Sequence, residues 1–274
     1  MAAFGARLQR AVGERIGLCV GIDPHPELLE AWGYRDDVDG LRSFALRAAA
    51  ALAQHVAVLK PQSAFFERHG SRGVGVLEET VAACRDAGAL VVLDAKRGDI
   101  GSTARAYADA YLRPGCSLPA DALTVSPYLG FGSLTPFVEA AGAVGAGLFV
   151  LARTSNPEGV EVQDARAADG RTVAQLMVDH VAALNAAETA AGAPLGSLGV
   201  VVGGTVGPGA VDLSALGGPV LVPGLGAQGA TADDVAAATS GAALVLASTS
   251  RDVLRAGPDA EALVARAQAV AAAL

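Results

Sequence analysis

The sequence predicts an α/β protein of the (β/α)8 TIM barrel class, and three observations carry that expectation. Eight short apolar runs rich in β-branched residues recur along the chain, Ala-rich segments of helical periodicity separate most of them, and polar or charged residues gather where the runs end. Parallel strands covered on both faces read as continuous apolar runs, without the alternation of a half-exposed sheet. Strands that alternate with helices build a parallel sheet, and eight such units in one chain close it. A doubly wound open sheet is the alternative arrangement of the same elements.

The strand runs, in order, are IGLCVGID (16–23), HVAVLKP (55–61), ALVVLDAK (89–96), DALTVSP (121–127), GLFVLART (147–154), LGVVVGGT (198–205), GPVLVPG (218–224) and AALVLAST (242–249). Helical segments are expected over 41–54, 72–87, 102–113, 170–191, 230–239 and 258–273. No linker or low-complexity tract interrupts residues 1–274, so a single domain is expected, a size that α/β barrels commonly reach as one unit. Asp23, Lys60, Asp94 with Lys96, Ser126, Thr154, Thr205 and Ser248 fall at the C-terminal ends of runs, the rim on which barrel enzymes build their active sites. Strand ends are generally more polar than strand middles. That accounts for one or two such residues and less well for acids and lysines at three successive strands.

Composition removes several classes of partner. A net charge of −8 argues against nucleic acid or an anionic membrane as a general partner, while leaving room for a local basic cluster that captures a small anion. Three widely separated cysteines, Cys19, Cys84 and Cys116, have no C-x-x-C spacing, which points away from zinc and disulfides and toward a reducing cytoplasm. The four histidines, His25, His55, His69 and His180, have no metal-ligand spacing. The charged N-terminal stretch lacks the apolar core of a signal peptide, and no apolar run is long enough to span a bilayer. Arg7, Arg10, Glu14 and Arg15 are expected on an exposed helical face, Trp32 and Tyr34 in a packed loop edge, and His25 in loop packing.

GLGAQG (224–229) satisfies G-x-G-x-x-G between a strand and a helix. It lies in the seventh strand unit, and the next strand offers no acid for a ribose hydroxyl, both of which oppose a dinucleotide fold. The underlying physics remains, because glycines let backbone N–H groups approach an anion. Barrels often hold phosphate at the loops after strands seven and eight. Gln228 and Arg251 are therefore the candidate phosphate ligands, the arginine supplying a planar fork of donors.

The most charged stretch is LDAKRGDIGSTARAY (93–107), directly after a buried strand. Residues two apart on a strand share a face, so Asp94 and Lys96 are expected to project together, with Lys60 reaching them from the neighbouring strand. Asp99 follows the Arg-Gly turn, and Thr103 lies one turn further along the helix. Desolvating such an array is expensive unless its charges pair, so a reaction centre and a structural ion-pair network are the two readings.

D-x-K-x-x-D with GIDP, LKPQ, SPYLG (126–130), RTSNP (153–157), PGLGAQG (223–229) and Ser250-Arg251 strongly resembles the orotidine 5′-phosphate decarboxylase family, from about residue 17 to 252. DAKRGDIGSTA with TSNP looks like its longer, second subgroup. The resemblance implies decarboxylation of orotidine 5′-phosphate to UMP in de novo pyrimidine biosynthesis, by a cytoplasmic homodimer with shared sites, no cofactor and no metal. It implies a charged array of Lys60, Asp94, Lys96 and, from the second subunit, Asp99. Asp23 and Thr103 (the latter also from the second subunit) would hold ribose hydroxyls, Ser126 the pyrimidine edge, and Gln228 and Arg251 the phosphate. Lys96 would stabilise the carbanion-like C6 and protonate it. One departure is Ser250, where many members have a glycine before the arginine. Two rival readings are a magnesium-dependent sugar-phosphate decarboxylase of the same superfamily and a noncatalytic nucleotide-binding protein.

Overall fold

Each of the eight apolar runs becomes a strand in the computed structural model, which describes residues 2–226 and 229–274. The strands are β1 (Ile16–Ile22), β2 (Val56–Pro61), β3 (Leu90–Arg97), β4 (Ala122–Val125), β5 (Gly147–Arg153), β6 (Leu198–Val202), β7 (Pro219–Pro223) and β8 (Leu244–Thr249). They form a closed barrel in sequence order. Closure is made by β8 on β1, with Cys19 opposite Ser248 and Val20 opposite Thr249, which rules out the open sheet.

Alternation along each strand divides the core in two. Every strand sends at least one side chain into the barrel interior, including Cys19, Val58, Val92, Ala122, Phe149, Val201, Leu221 and Leu246. Their neighbours, among them Leu18, Val20, Leu59, Val91 and Leu93, face outward into a larger apolar layer under the helices. Being apolar on both sides, the strands lack the two-residue alternation of a half-exposed sheet.

The N-terminal helix Phe4–Glu14 closes the bottom of the barrel. Phe4 and Leu8 join the interior cluster, and Phe4 meets Phe149 edge-on at 6.0 Å between ring centres. Gly147 permits this, because a Cβ there would run into the Phe4 ring. The helix is pinned by Arg7, whose guanidinium donates to Asp121 at 2.5 Å and to the carbonyl of Gly145 at 2.9 Å. The expected exposed face is thus corrected at two positions. Arg10 and Glu14 are exposed, but Arg7 is largely buried in this ion pair and Arg15 donates to the carbonyl of Ala53 at 2.7 Å. The cause is the closed bottom of the barrel, which is not a property of the helix's own periodicity.

The expected helices are present with ends displaced by a few residues: Val38–Leu52, Gly70–Asp86, Gly101–Leu112, Val173–Ala190, Ala232–Ala238 and Ala260–Ala271. A further helix, Thr135–Val144, covers the connection from β4 to β5 and ends at Gly145 in the left-handed conformation. No helix lies between β6 and β7 among the described residues. Asn185, from the helix Val173–Ala190, serves that gap instead. Its amide donates to the carbonyls of Leu198 and Leu216 at 2.8 and 2.9 Å and accepts from the Leu198 N–H at 3.1 Å. Trp32 packs on Phe44 and donates to the Leu254 carbonyl at 2.9 Å. No helix among the described residues is long and apolar enough to cross a membrane.

Candidate active site

A cavity of about 580 Å³ opens at the C-terminal mouth of the barrel, opposite the helical plug. Its charged wall comes from β1, β2 and β3. Lys60, the penultimate residue of β2, has its side chain only 6% exposed, with Nζ donating to Asp94 Oδ2 at 2.9 Å. The other carboxylate oxygen of Asp94 accepts from Lys96 Nζ at 2.6 Å and from the Thr124 hydroxyl at 2.9 Å. A buried carboxylate thus sits between two ammonium groups, one buried and one 43% exposed at its side chain toward the cavity. These are the only two lysines in the chain, against eighteen arginines.

The Lys96 contact forms on a different backbone from the one the two-residue strand period assumes. The β3–β4 register jumps between Leu93 opposite Leu123 and Arg97 opposite Val125, so β3 carries extra residues around Asp94–Lys96. Lys96 itself has φ 46°, the one non-glycine residue with positive φ among those described. Bulges re-aim side chains, and a left-handed non-glycine residue persists only where its surroundings hold it. Thr124 Oγ1 does so by accepting the Lys96 backbone N–H at 2.9 Å. Gly98 completes the turn, since a Cβ there would strike the Ser126 carbonyl.

Electrostatics follows from this geometry. Burial disfavours both charged forms, but the Lys60 and Lys96 ammonium groups outweigh it at Asp94 and hold that carboxyl well below the usual range. For Lys60, burial is likewise outweighed, first by Asp94 and then by Asp23, so its pKa is raised and it stays an ammonium. Beneath it, burial pushes the Cys19 thiol up to about 11, leaving it uncharged at neutral pH.

Asp23 lines the cavity just beyond β1, buried, with Oδ1 lacking any hydrogen-bond partner. Across β8, Thr249 Oγ1 and Ser250 Oγ are also buried and unpartnered, beside Arg251, with which no carboxylate pairs among the described residues. Buried polar atoms are normally satisfied, so three without a protein partner, on residues that line one cavity, mark this wall as its polar side. Gly224 and Leu225 bring the loop after β7 to the same wall, with Gly224 at φ 94°. Gln228 lies outside the described residues.

The remaining expected residues are placed differently. Ser126 follows β4 at the rim, half-buried, with its N–H donating to the Arg97 carbonyl at 2.8 Å, and does not line the cavity. Asp99 caps its own Ile100 N–H at 2.8 Å, and Thr103 is exposed on the helix Gly101–Leu112. Neither lines the cavity of its own chain. Thr205 is exposed beyond the end of β6. Sequence reasoning passed over Thr124, a buried hydroxyl inside the otherwise apolar ALTV of β4, which was its available signal. It also missed Gln163, whose side chain accepts from the Thr154 N–H at 2.8 Å and which, like Thr154 and Asn156, lines the cavity. His25 lines it too, packed against Phe65 at 4.3 Å between ring centres. Arg97 and Arg153 are tied into ion pairs with Glu67 and Asp164. Among the described residues, no group of three His, Cys, Asp or Glu side chains could hold a metal ion.

Fold and site together define a (β/α)8-barrel enzyme whose ionic centre stands at the C-terminal ends of the first three strands. The sequence profile of the orotidine 5′-phosphate decarboxylase / HUMPS family matches residues 17–265, and the chain belongs to that family. A Salinispora tropica protein named orotidine 5′-phosphate decarboxylase is 60% identical over 273 residues, covering 99% of this chain and 97% of its own. The crystal structure of a Streptomyces avermitilis protein ascribed the same activity is 59% identical, with TM-score 0.94 over 99% of this chain and 94% of that one. The Leishmania donovani OMP decarboxylase structure is 28% identical, with TM-score 0.73 over 99% of this chain and 100% of that one.

Proposed function

We propose that this chain decarboxylates orotidine 5′-phosphate to UMP and CO₂ in de novo pyrimidine biosynthesis, without a cofactor, as a cytoplasmic homodimer in which residues 1–274 form a single barrel domain. The observation that carries this reading is the Lys96 ammonium, 2.6 Å from a buried carboxylate and open to a cavity that contains three unsatisfied polar atoms.

In the reaction the bond from C6 to the carboxylate breaks, CO₂ leaves, and the electron pair stays on C6. No adjacent carbonyl delocalises that pair as an enolate. A preorganised ammonium stabilises it electrostatically, which counts for more in a water-poor cavity than in bulk water. Lys96 then gives a proton from Nζ to C6, yielding UMP, and the neutral amine recovers its proton from solvent. Asp94 sits beside the departing carboxylate and holds the ammonium in line; Lys60 keeps Asp94 ionised.

In this reading Asp23 receives a ribose hydroxyl, and Arg251 with Gln228 binds the phosphate. The candidates for the pyrimidine edge are Thr154 and Asn156, which line the cavity directly, in place of Ser126, which stands outside it. Asp99 and Thr103 act in the partner subunit's cavity, consistent with their absence from their own. An exposed apolar set on the same side, Ile100 (61% exposed), Tyr107, Tyr128 (77%) and Leu129, supports burial of this edge against a second copy.

The test is loss of the orotidine 5′-phosphate absorbance on incubation with the purified chain, with and without chelator. Equal turnover in both is expected. Absence of turnover sinks the assignment, and turnover abolished by the chelator favours a metal-dependent decarboxylase.

A further inference from the structure

We infer that Thr124 is a positioning residue for the reaction, its hydroxyl fixing the Asp94 carboxylate and the Lys96 backbone in one arrangement. The inference rests on the reading of Lys96 given above and assigns a role to a side chain outside the ionic array. Thr124 is 1% exposed in the middle of a strand whose other residues, Ala122, Leu123 and Val125, are buried and apolar. An ordinary barrel strand would carry valine there, with the same shape and no hydroxyl to desolvate.

The hydroxyl has one proton to donate and lone pairs with which to accept, and it uses both functions. It donates to Asp94 Oδ1 at 2.9 Å and accepts the Lys96 N–H at 2.9 Å. Lys96 Nζ returns to the same Oδ1 at 2.6 Å. The result is a closed ring from the Lys96 backbone through Thr124 and Asp94 to the Lys96 ammonium. The ring is needed because the β3 bulge takes Lys96 out of register with β4 and leaves it at φ 46°. A backbone N–H in that position loses its ladder partner, and a left-handed lysine needs its surroundings to hold it. Thr124 supplies the first and contributes to the second.

Removing the hydroxyl frees the start of the Lys96 side chain and deprives Asp94 Oδ1 of one donor, with the cavity's other walls intact. Catalysis depends on the ammonium's aim more than substrate capture does, so the loss belongs in kcat. Thr124→Val is expected to lower kcat by roughly ten- to a hundredfold with KM nearly unchanged, and Thr124→Ser to restore it. If the valine variant does not fold, Thr124→Ala removes the same hydroxyl with less bulk.

Because the chain has two lysines, ¹⁵N-lysine labelling gives one backbone amide from Lys60 and one from Lys96. Hydrogen exchange at the Lys96 amide should accelerate by about tenfold or more in the valine variant and not in the serine variant, with Lys60 unchanged. Wild-type-like kcat in Thr124→Val, or a kcat loss with unaltered exchange at Lys96, would overturn the inference. Should the wild type itself leave orotidine 5′-phosphate intact, the functional reading fails, and the amide exchange still decides whether Thr124 holds Lys96.

Discussion

Replacing Lys60 by methionine keeps most of the side-chain volume of a nearly inaccessible residue and deletes its charge, which makes the change a quantitative probe of the ionic centre. In the wild type, Nζ lies 2.9 Å from Asp94 Oδ2, and Asp94 is 8% exposed. At an effective dielectric constant near 20 that separation corresponds to about 6 kcal/mol of attraction. Part is recovered in the variant, because an ammonium no longer has to be desolvated and Lys96 still pairs with the other oxygen at 2.6 Å. Removing one partner of a buried pair typically costs about 3–5 kcal/mol, the loss expected here. For a domain of this size that is a fall of about 6–20 °C in Tm.

The dependence on pH has a definite sign. Asp94 has a depressed carboxyl pKa, burial opposing and the two lysines more than compensating, so its contribution to stability is present above the unfolded carboxylate pKa. It is lost as pH falls through the lower folded value. Lys60 has a raised pKa and remains charged throughout that range. Urea unfolding of wild type and Lys60→Met should therefore differ most at neutral pH and converge in strong acid, with equal m-values. A difference under about 1 kcal/mol at pH 7, or a gap independent of pH, would refute the coupling between Lys60 and Asp94.

Three further outcomes are expected. Arg7→Ala should lower stability by about 3 kcal/mol, since buried Asp121 keeps the Val91 N–H at 2.9 Å but, among the described residues, only Arg85 at 3.5 Å as a cationic partner. Its kcat/KM should match wild type, because the plug is at the far end of the barrel; a loss of turnover in folded protein would contradict that separation. Substrate lacking the phosphate should show kcat/KM lower by about a thousandfold or more, as expected if remote charge-assisted contacts act on the transition state, and parity would remove the phosphate grip from the account. Mixed dimers of Asp99→Ala with Lys96→Ala chains should recover roughly half the wild-type turnover through one intact hybrid site; no recovery in verified heterodimers would contradict sharing across the interface.

The barrel was legible because its signal is repetitive. Apolar runs such as HVAVLKP and GLFVLART need both faces covered, whatever surrounds them. The helix Thr135–Val144 escaped notice because it is short, has a proline (Pro136) at its start and contains Gly142 just before Gly145, residues that locally read as loop. Lys60, Asp94 and Asp23 were legible as charges at strand ends, where an apolar chain has little structural reason to keep them. The bulge at Lys96 was not, because it depends on the partner strand's register, and neither was the double use of the Thr124 hydroxyl. The Arg7 ion pair likewise depends on Asp121, far away in sequence and brought close only when the barrel closes.

The most direct test of the central claim is turnover of orotidine 5′-phosphate by Lys96→Ala. With Lys96 partly open to the cavity, the variant is expected to keep its circular dichroism spectrum and bind UMP, while kcat falls by about a thousandfold or more. Near-normal turnover in that folded variant would contradict the assignment of the C6 charge and proton to this ammonium.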